Sequence, residues 1–256
     1  MLLLIDAGNT RVKWAVVPSA ERRPEALGRW TESGMVEHAQ VRSLSDAWRA
    51  HKVVRVLASN VAGEPMRDAI EQVLLGAFGM QPVPLEWFAS AAELAGVRNN
   101  YRNPAQLGCD RFASAIGAHA LFPGRPLVVA TCGTATTVDA VTPDGVFLGG
   151  MILPGLGLMA SSLAKNTAQL PQVAGHIDIA EPFADYTDAA IASGCLAAQS
   201  GAIERAVAAH ARHGGNVQCI LSGGAASLIA PHLSVPHQRV DNLVLIGLHK
   251  ASMTPC

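Results

Sequence analysis

The chain has 256 residues, half of them apolar and 15% charged, with 19 basic against 20 acidic side chains and a formal net charge of −1 at pH 7. That composition supplies a sizeable core and excludes the basic footprint of a nucleic-acid-binding or membrane-surface protein. No apolar run approaches the roughly 18–20 residues that cross a bilayer, so no nucleic-acid and no membrane partner is expected.

Leu2–Ile5 and Arg11–Val17 are predicted strands joined by a tight glycine-containing turn, a hairpin. The first run carries Asp6 and has no basic lead, unlike a signal peptide. A third strand is expected over Gly28–Ser33, a short helix over Asp46–His51, a buried strand over Val53–Ser59 and a helix with a charged outer face over Glu64–Phe78. Asn99–Leu107, NNYRNPAQL, reads as loop, and Gly108–Leu121 as a helix with small residues on one face. Pro126–Ala130 and VFLGGMIL read as strands on either side of TCGTATTVDAV. Helices follow over Ser161–Thr167 and Asp188–His213, then a strand over Val217–Leu221 ending in SGGAA, then helices over Ala225–Leu233 and Asn242–Ser252. Five cysteines are scattered with no CxxC pair, so neither a zinc site nor a disulfide framework is expected, and the setting should be reducing and cytoplasmic.

The pattern restarts about half-way. LLLIDAGNTRVKWAVV and PLVVATCGTATTVDAV share a plan: an apolar strand, a small-residue turn with Gly followed by Asn or Thr, and a second strand. Any two α/β domains can begin with a strand, but here the turn chemistry matches as well. A repeat of this period points to two similar α/β domains, divided at 1–118 and 119–256.

Turns of this kind aim backbone N–H groups and a hydroxyl at an anion, which suits the phosphates of a nucleotide. Asp6, at the mouth of the first turn, is placed either to hold Mg²⁺ beside phosphate oxygens or to cap its own turn. Asp110 and Arg111 open a helix that is otherwise nearly free of charge. An acid there interacts favourably with the helix dipole. An adjacent acid and fixed cation also suit a hydroxyl substrate that carries its own carboxylate. Two further patterns are set aside. GLGLMA (Gly155–Ala160) matches GxGxxA but opens no Rossmann unit and reads as a close-packed turn before a helix. HARH (His210–His213) has metal-ligand spacing but reads as solvated surface. No GxxxxGK[ST] is present, which excludes a P-loop kinase.

DAGNT, NPAQLGCDR, GTATTVDAV, GGMILPGLGLM and SGGAA, in this order, resemble the type III pantothenate kinases over nearly the whole chain. That family belongs to the acetate and sugar kinase, heat-shock protein and actin superfamily. The resemblance implies an α/β fold of two duplicated ribonuclease-H-like (actin-like ATPase) domains with an interdomain nucleotide cleft. The implied reaction is ATP-dependent phosphorylation of pantothenate to 4′-phosphopantothenate, the first step of coenzyme A biosynthesis. By motif, Asp6, Ala7, Gly8, Asn9, Thr10, Arg11, Val12 and Lys13 form the first phosphate loop, with Asp6 associated with Mg²⁺. Asp110 is the implied base. Tyr101, Gly108, Cys109 and Arg111 line the pantothenate site, and Thr134 contacts ATP phosphate. Thr187 reaches pantothenate across a homodimer interface. The family also requires K⁺ or NH₄⁺, and here the chain departs: Thr131 stands where many members carry an acid that helps bind this cation. The alternatives are a non-catalytic nucleotide- or ligand-binding regulator of the same fold, or a kinase for another small hydroxy or carboxylic acid.

Overall fold

The computed structural model describes residues 1–21, 23–79, 83–173, 179 and 181–254. In chain order the first elements are β1 (Leu2–Ala7), β2 (Arg11–Val17), β3 (Glu32–Glu37), α1 (Leu44–Arg49), β4 (Arg55–Asn60), α2 (Glu64–Phe78), β5 (Leu85–Trp87), β6 (Glu93–Leu94), β7 (Val97–Asn99) and α3 (Cys109–Leu121). They continue with β8 (Leu127–Cys132), β9 (Ala135–Val141), β10 (Val146–Pro154), α4 (Leu156–Asn166), α5 (Thr187–Ala211), β11 (Gln218–Ser222), α6 (Ala226–Ile229), β12 (His237–Arg239) and α7 (Leu243–Ser252). Contacts divide the chain into two compact units. One holds Met1–Gly124, Asp144–Phe147 and Asn242–Cys256; the other holds Arg125–Pro143 and Leu148–Asp241.

The first unit is built on a sheet of order β3-β2-β1-β4-β5. Its central strand β1 runs antiparallel to β2 and parallel to β4. Leu2–Ile5 is buried throughout because both faces of a central strand are covered. Leu3, Ile5, Val12, Trp14, Val56, Trp48 and Ile70 share one core. The predicted helix Glu64–Phe78 forms as expected, burying Met66, Ile70, Val73, Leu74 and Ala77 at three- and four-residue spacing. The third strand lies later than Gly28–Ser33. Gly28 adopts φ +76°, which ends any extended run there. The strand instead takes the polar segment ESGMVE at the sheet edge, with Gly34 against Trp14. A Cβ at Gly34 would come 2.9 Å from the indole Nε1.

Helix α3 is buried on every side from Arg111 to Ala118. It packs against α7 at a pair of glycines. A Cβ on Gly117 would lie 2.7 Å from the Leu243 carbonyl oxygen and 2.9 Å from the Gly247 nitrogen. Both obstacles are backbone and cannot turn aside. Gly117→Ala is therefore expected to destabilise the protein by about 1–3 kcal/mol. A thermal unfolding midpoint about 2–10 °C lower is the measurement that checks it.

In the second unit the strands run β10-β9-β8-β11-β12. Here β8 is antiparallel to β9 and parallel to β11, and β11 is parallel to β12. The order is that of β3-β2-β1-β4-β5, and the senses along β9-β8-β11-β12 are those along β2-β1-β4-β5, so the two units are duplicates of one ribonuclease-H-like plan. The first two residues of β10, Val146 and Phe147, belong to the first unit and pair parallel with Arg98 and Asn99 of β7. Two expectations are corrected here. The predicted turn in GLGLMA is confined to Gly155, and helix α4 begins at Leu156, earlier than Ser161. His210 is not solvated surface: it is buried, and its Nε2 lies 3.0 Å from the Val141 carbonyl oxygen.

Candidate active site

Strand β1 does not stop at Ile5 but carries Asp6 and Ala7 into the sheet. Asp6 is thus a strand residue, in register with Lys13 on β2 and Ser59 on β4. The three side chains leave the sheet on the same face. Burial pushes the Asp6 carboxyl up to about 7; Lys13 opposes this, and Asp110 adds to it. The turn beyond is closed by the Gly8 N–H donating to the Arg11 carbonyl at 3.1 Å, and the Gly8 carbonyl lies 2.8 Å from His38 Nε2. Asn9, Thr10 and Arg11 are exposed. Ala7 and Val12 are fully buried and belong to the core, so only their backbone can face a ligand.

Asp110 lies in the first turn of α3, with Gly108 at the cap position. Its Oδ1 accepts the Arg111 N–H at 2.8 Å. Burial raises its pKa, while that N–H and the Arg111 charge hold the rise back. A Cβ at Gly108 would come 2.8 Å from Asp110 Oδ1, so an added methyl there would displace that carboxylate. Arg111 is 7% exposed. Its Nη1 donates to the Tyr101 hydroxyl at 2.8 Å, and its guanidinium lies over the Tyr101 and Phe147 rings at 5.6 and 5.8 Å. The Tyr101 N–H donates to Asn99 Oδ1, and Asn99 Nδ2 to the Pro104 carbonyl, so buried Asn99 orders the loop before α3. The Cys109 thiol turns onto β4, 3.2 Å from Ser59 Oγ.

The first unit therefore brings together Asp6, Lys13, Tyr101, Gly108, Cys109, Asp110 and Arg111. Sequence reasoning missed Phe147 and Ser59. Phe147 is one apolar residue in a strand and gives no signal. Ser59 does give one, a polar residue closing a buried apolar run, as Asp6 does. In the second unit Thr134 is exposed, and its carbonyl accepts the Gly155 N–H at 2.9 Å. Thr131 is half-buried, in register with Thr137 and Ser222. Thr187 is exposed at the first turn of α5, on the wall of a cavity of about 610 Å³ lined also by Pro154, Met159, Leu163, Ile191 and Cys195. Among the described residues no group of three or more His, Cys, Asp or Glu side chains could hold a metal. No helix there is long and apolar enough to cross a membrane.

The chain resembles known proteins in both sequence and fold. Residues 2–209 match the family model described as type III pantothenate kinase. A type III pantothenate kinase of Janthinobacterium sp. (strain Marseille) is 65% identical, covering 99% of this chain and 98% of that protein. One of Herminiimonas arsenicoxydans is 62% identical, with the same coverage. A Campylobacter jejuni structure described as a Baf family transcriptional activator has TM-score 0.60 at 18% identity, covering 97% of this chain and 96% of that one. A 2-dehydro-3-deoxygalactonokinase structure from Sinorhizobium meliloti has TM-score 0.55 at 16% identity, covering 98% of each chain. The structural likenesses concern the fold; the sequence matches run through both units. The chain belongs to the type III pantothenate kinases, a family of phosphotransferases.

Proposed function

We propose that this protein transfers the γ-phosphoryl group of ATP to the primary hydroxyl of pantothenate, giving 4′-phosphopantothenate in the cytoplasm. The observation that carries the reading is a pair of carboxylates in the first unit: Asp6 shares a sheet face with Ser59, and Ser59 Oγ lies 3.2 Å from the Sγ of Cys109, the residue before Asp110. A hydroxyl acceptor needs one acid, and the cation that offsets the phosphate charge needs the other. Asp110 orients the hydroxyl and takes its proton as the bond to phosphorus forms. The transition state is loose, so orientation is the larger part of its work. Arg111, held against Tyr101 and Phe147, offers its planar fork to the pantothenate carboxylate. Tyr101, Gly108 and Cys109 line the same site, while Lys13 and the turn Gly8–Arg11 are assigned to the ATP phosphates; within the second unit, exposed Thr134 is assigned a phosphate contact of its own.

Asp6 suits a divalent cation: a carboxyl raised to about 7 in the protein alone regains its charge beside one. When bound there, Mg²⁺ neutralises phosphate charge and helps align the transferring group. For K⁺ or NH₄⁺ the second unit offers a row of hydroxyls, Ser222, Thr131 and Thr137, with no formal charge. The Thr137 Oγ1 is buried with no hydrogen-bond partner among the described residues. A neutral oxygen set fits a weakly held monovalent cation, and a raised concentration requirement is expected. Exposed Leu163, on the same cavity wall as Thr187, together with exposed Leu158 and Phe183, supports a homodimer that completes the site.

The test is a coupled ADP-release assay with pantothenate, Mg²⁺, and K⁺ or NH₄⁺ each omitted in turn. ADP release that needs pantothenate is expected; none in the complete mixture overturns the proposal. Arg111→Lys keeps the charge but loses the fork and the flat face on the two rings. It should raise the KM for pantothenate by about tenfold while leaving the KM for ATP near the parent value. An unaltered pantothenate KM removes Arg111 from the site.

A further inference from the structure

The contact between Ser59 and Cys109 has no part in the chemistry above. Ser59 is fully buried at the end of β4 and shares its sheet face with Asp6. Cys109 is the first residue of α3 and immediately precedes Asp110. Its Sγ lies 3.2 Å from Ser59 Oγ and 3.6 Å from the Asn60 carbonyl oxygen. A carbonyl can only accept, so the thiol proton goes to Asn60 and the Ser59 hydroxyl donates to the sulfur. Burial holds the Cys109 thiol above its usual pKa, so it keeps the proton this arrangement needs. Asn60 is itself fixed: its Oδ1 accepts the Ala62 N–H at 2.9 Å, and its Nδ2 donates to the Gly63 carbonyl at 2.9 Å. The first residue of α3 is thus fastened at two points to a rigid strand end. No side chain caps the helix at Gly108.

We propose that the Ser59–Cys109 pair is a latch that sets the spacing between Asp6 on β1 and Asp110 on α3, so that Ser59 and Cys109 are positioning residues for phosphoryl transfer. The proposal rests on the roles given to Asp6 and Asp110 above. The body of α3 is held by its packing on α7. Losing the latch therefore loosens the first turn of the helix and leaves the fold standing. A displacement of about 1 Å at a reacting group can cost up to about 100-fold in rate.

The experiment compares Ser59→Ala, Cys109→Ala, the double variant and Cys109→Ser in the full chain, reading kcat, both KM values and the unfolding midpoint. Each alanine variant should lower kcat by about 3–10-fold with the KM for ATP little changed. The double variant should be no slower than the worse single one, because the two residues make one contact. Cys109→Ser should recover most of the loss, since a hydroxyl donates and accepts in the same place. The latch is overturned if both alanine variants keep kcat within about twofold of the parent, or if their losses multiply in the double variant. It is equally overturned if the loss vanishes when the assay is run well below each variant's unfolding midpoint. Asp110→Asn, assayed alongside, separates the two levels. Full turnover in that variant overturns the underlying assignment. Loss there with unaffected latch variants overturns the latch alone.

Discussion

Asp110→Asn should bind ATP as the parent does and turn over about 100- to 1,000-fold more slowly. The side chain keeps its shape, and its carbonyl oxygen can still accept the Arg111 N–H that now fixes Oδ1 at 2.8 Å. What is lost is the negative charge and the capacity to take a proton. General-base help is typically worth about 10²–10⁴-fold, and the loose transition state of phosphoryl transfer places this case towards the lower end. The check is steady-state turnover beside ATP affinity measured by titration. Near-normal turnover would remove Asp110 as the base. Loss of ATP affinity in step with turnover would assign it to the nucleotide instead.

Asp6→Asn should shift the Mg²⁺ concentration for half-maximal activity upward by about tenfold or more, since a neutral amide is a poor ligand for a hard cation. An unchanged Mg²⁺ titration curve refutes the metal role. The same variant has a signature in stability. Burial pushes the Asp6 carboxyl from its ordinary 3.8 up to about 7 in the folded protein. Between these values the native state holds a proton that the unfolded chain has released. Native stability therefore falls as pH rises from about 4 to about 7 and stays low above that. With metal chelated at pH 8, Asp6→Asn should be more stable than the parent by roughly 2–4 kcal/mol, discounted for its partial exposure. The advantage should disappear near pH 4. A parent at least as stable as the variant at pH 8 would show that Asp6 carries no such strain.

The hairpin, helix α2 and the half-chain restart were legible because apolar periodicity and turn chemistry agreed there. The restart proved to be a repeat of a whole sheet topology. Strand β3 was misplaced because an edge strand need not be apolar, and Gly34 is chosen for the Trp14 ring. His210 was misjudged because a polar residue late in a helix reads as exposed, yet it is buried with its Nε2 at the Val141 carbonyl. In the candidate site, Asp6, Asp110 and Arg111 stood out as charges in apolar or small-residue surroundings. Phe147 did not, since a ring beneath a guanidinium is settled by strand pairing far along the chain. Nor did a single cut near residue 118 express that Asn242–Cys256 returns to the first unit.

That return bears on how the protein is made. On a ribosome, α3 emerges long before the helix that packs against Gly117, with the whole second unit translated in between. Until α7 arrives, the nascent helix that carries Asp110 shows an uncovered apolar flank. The second unit, continuous apart from one short excursion, can close first. Assembly of the first unit is therefore a late event of translation, governed by a contact of very long sequence separation. This is the interval in which the unfinished chain is most exposed to aggregation and to proteases.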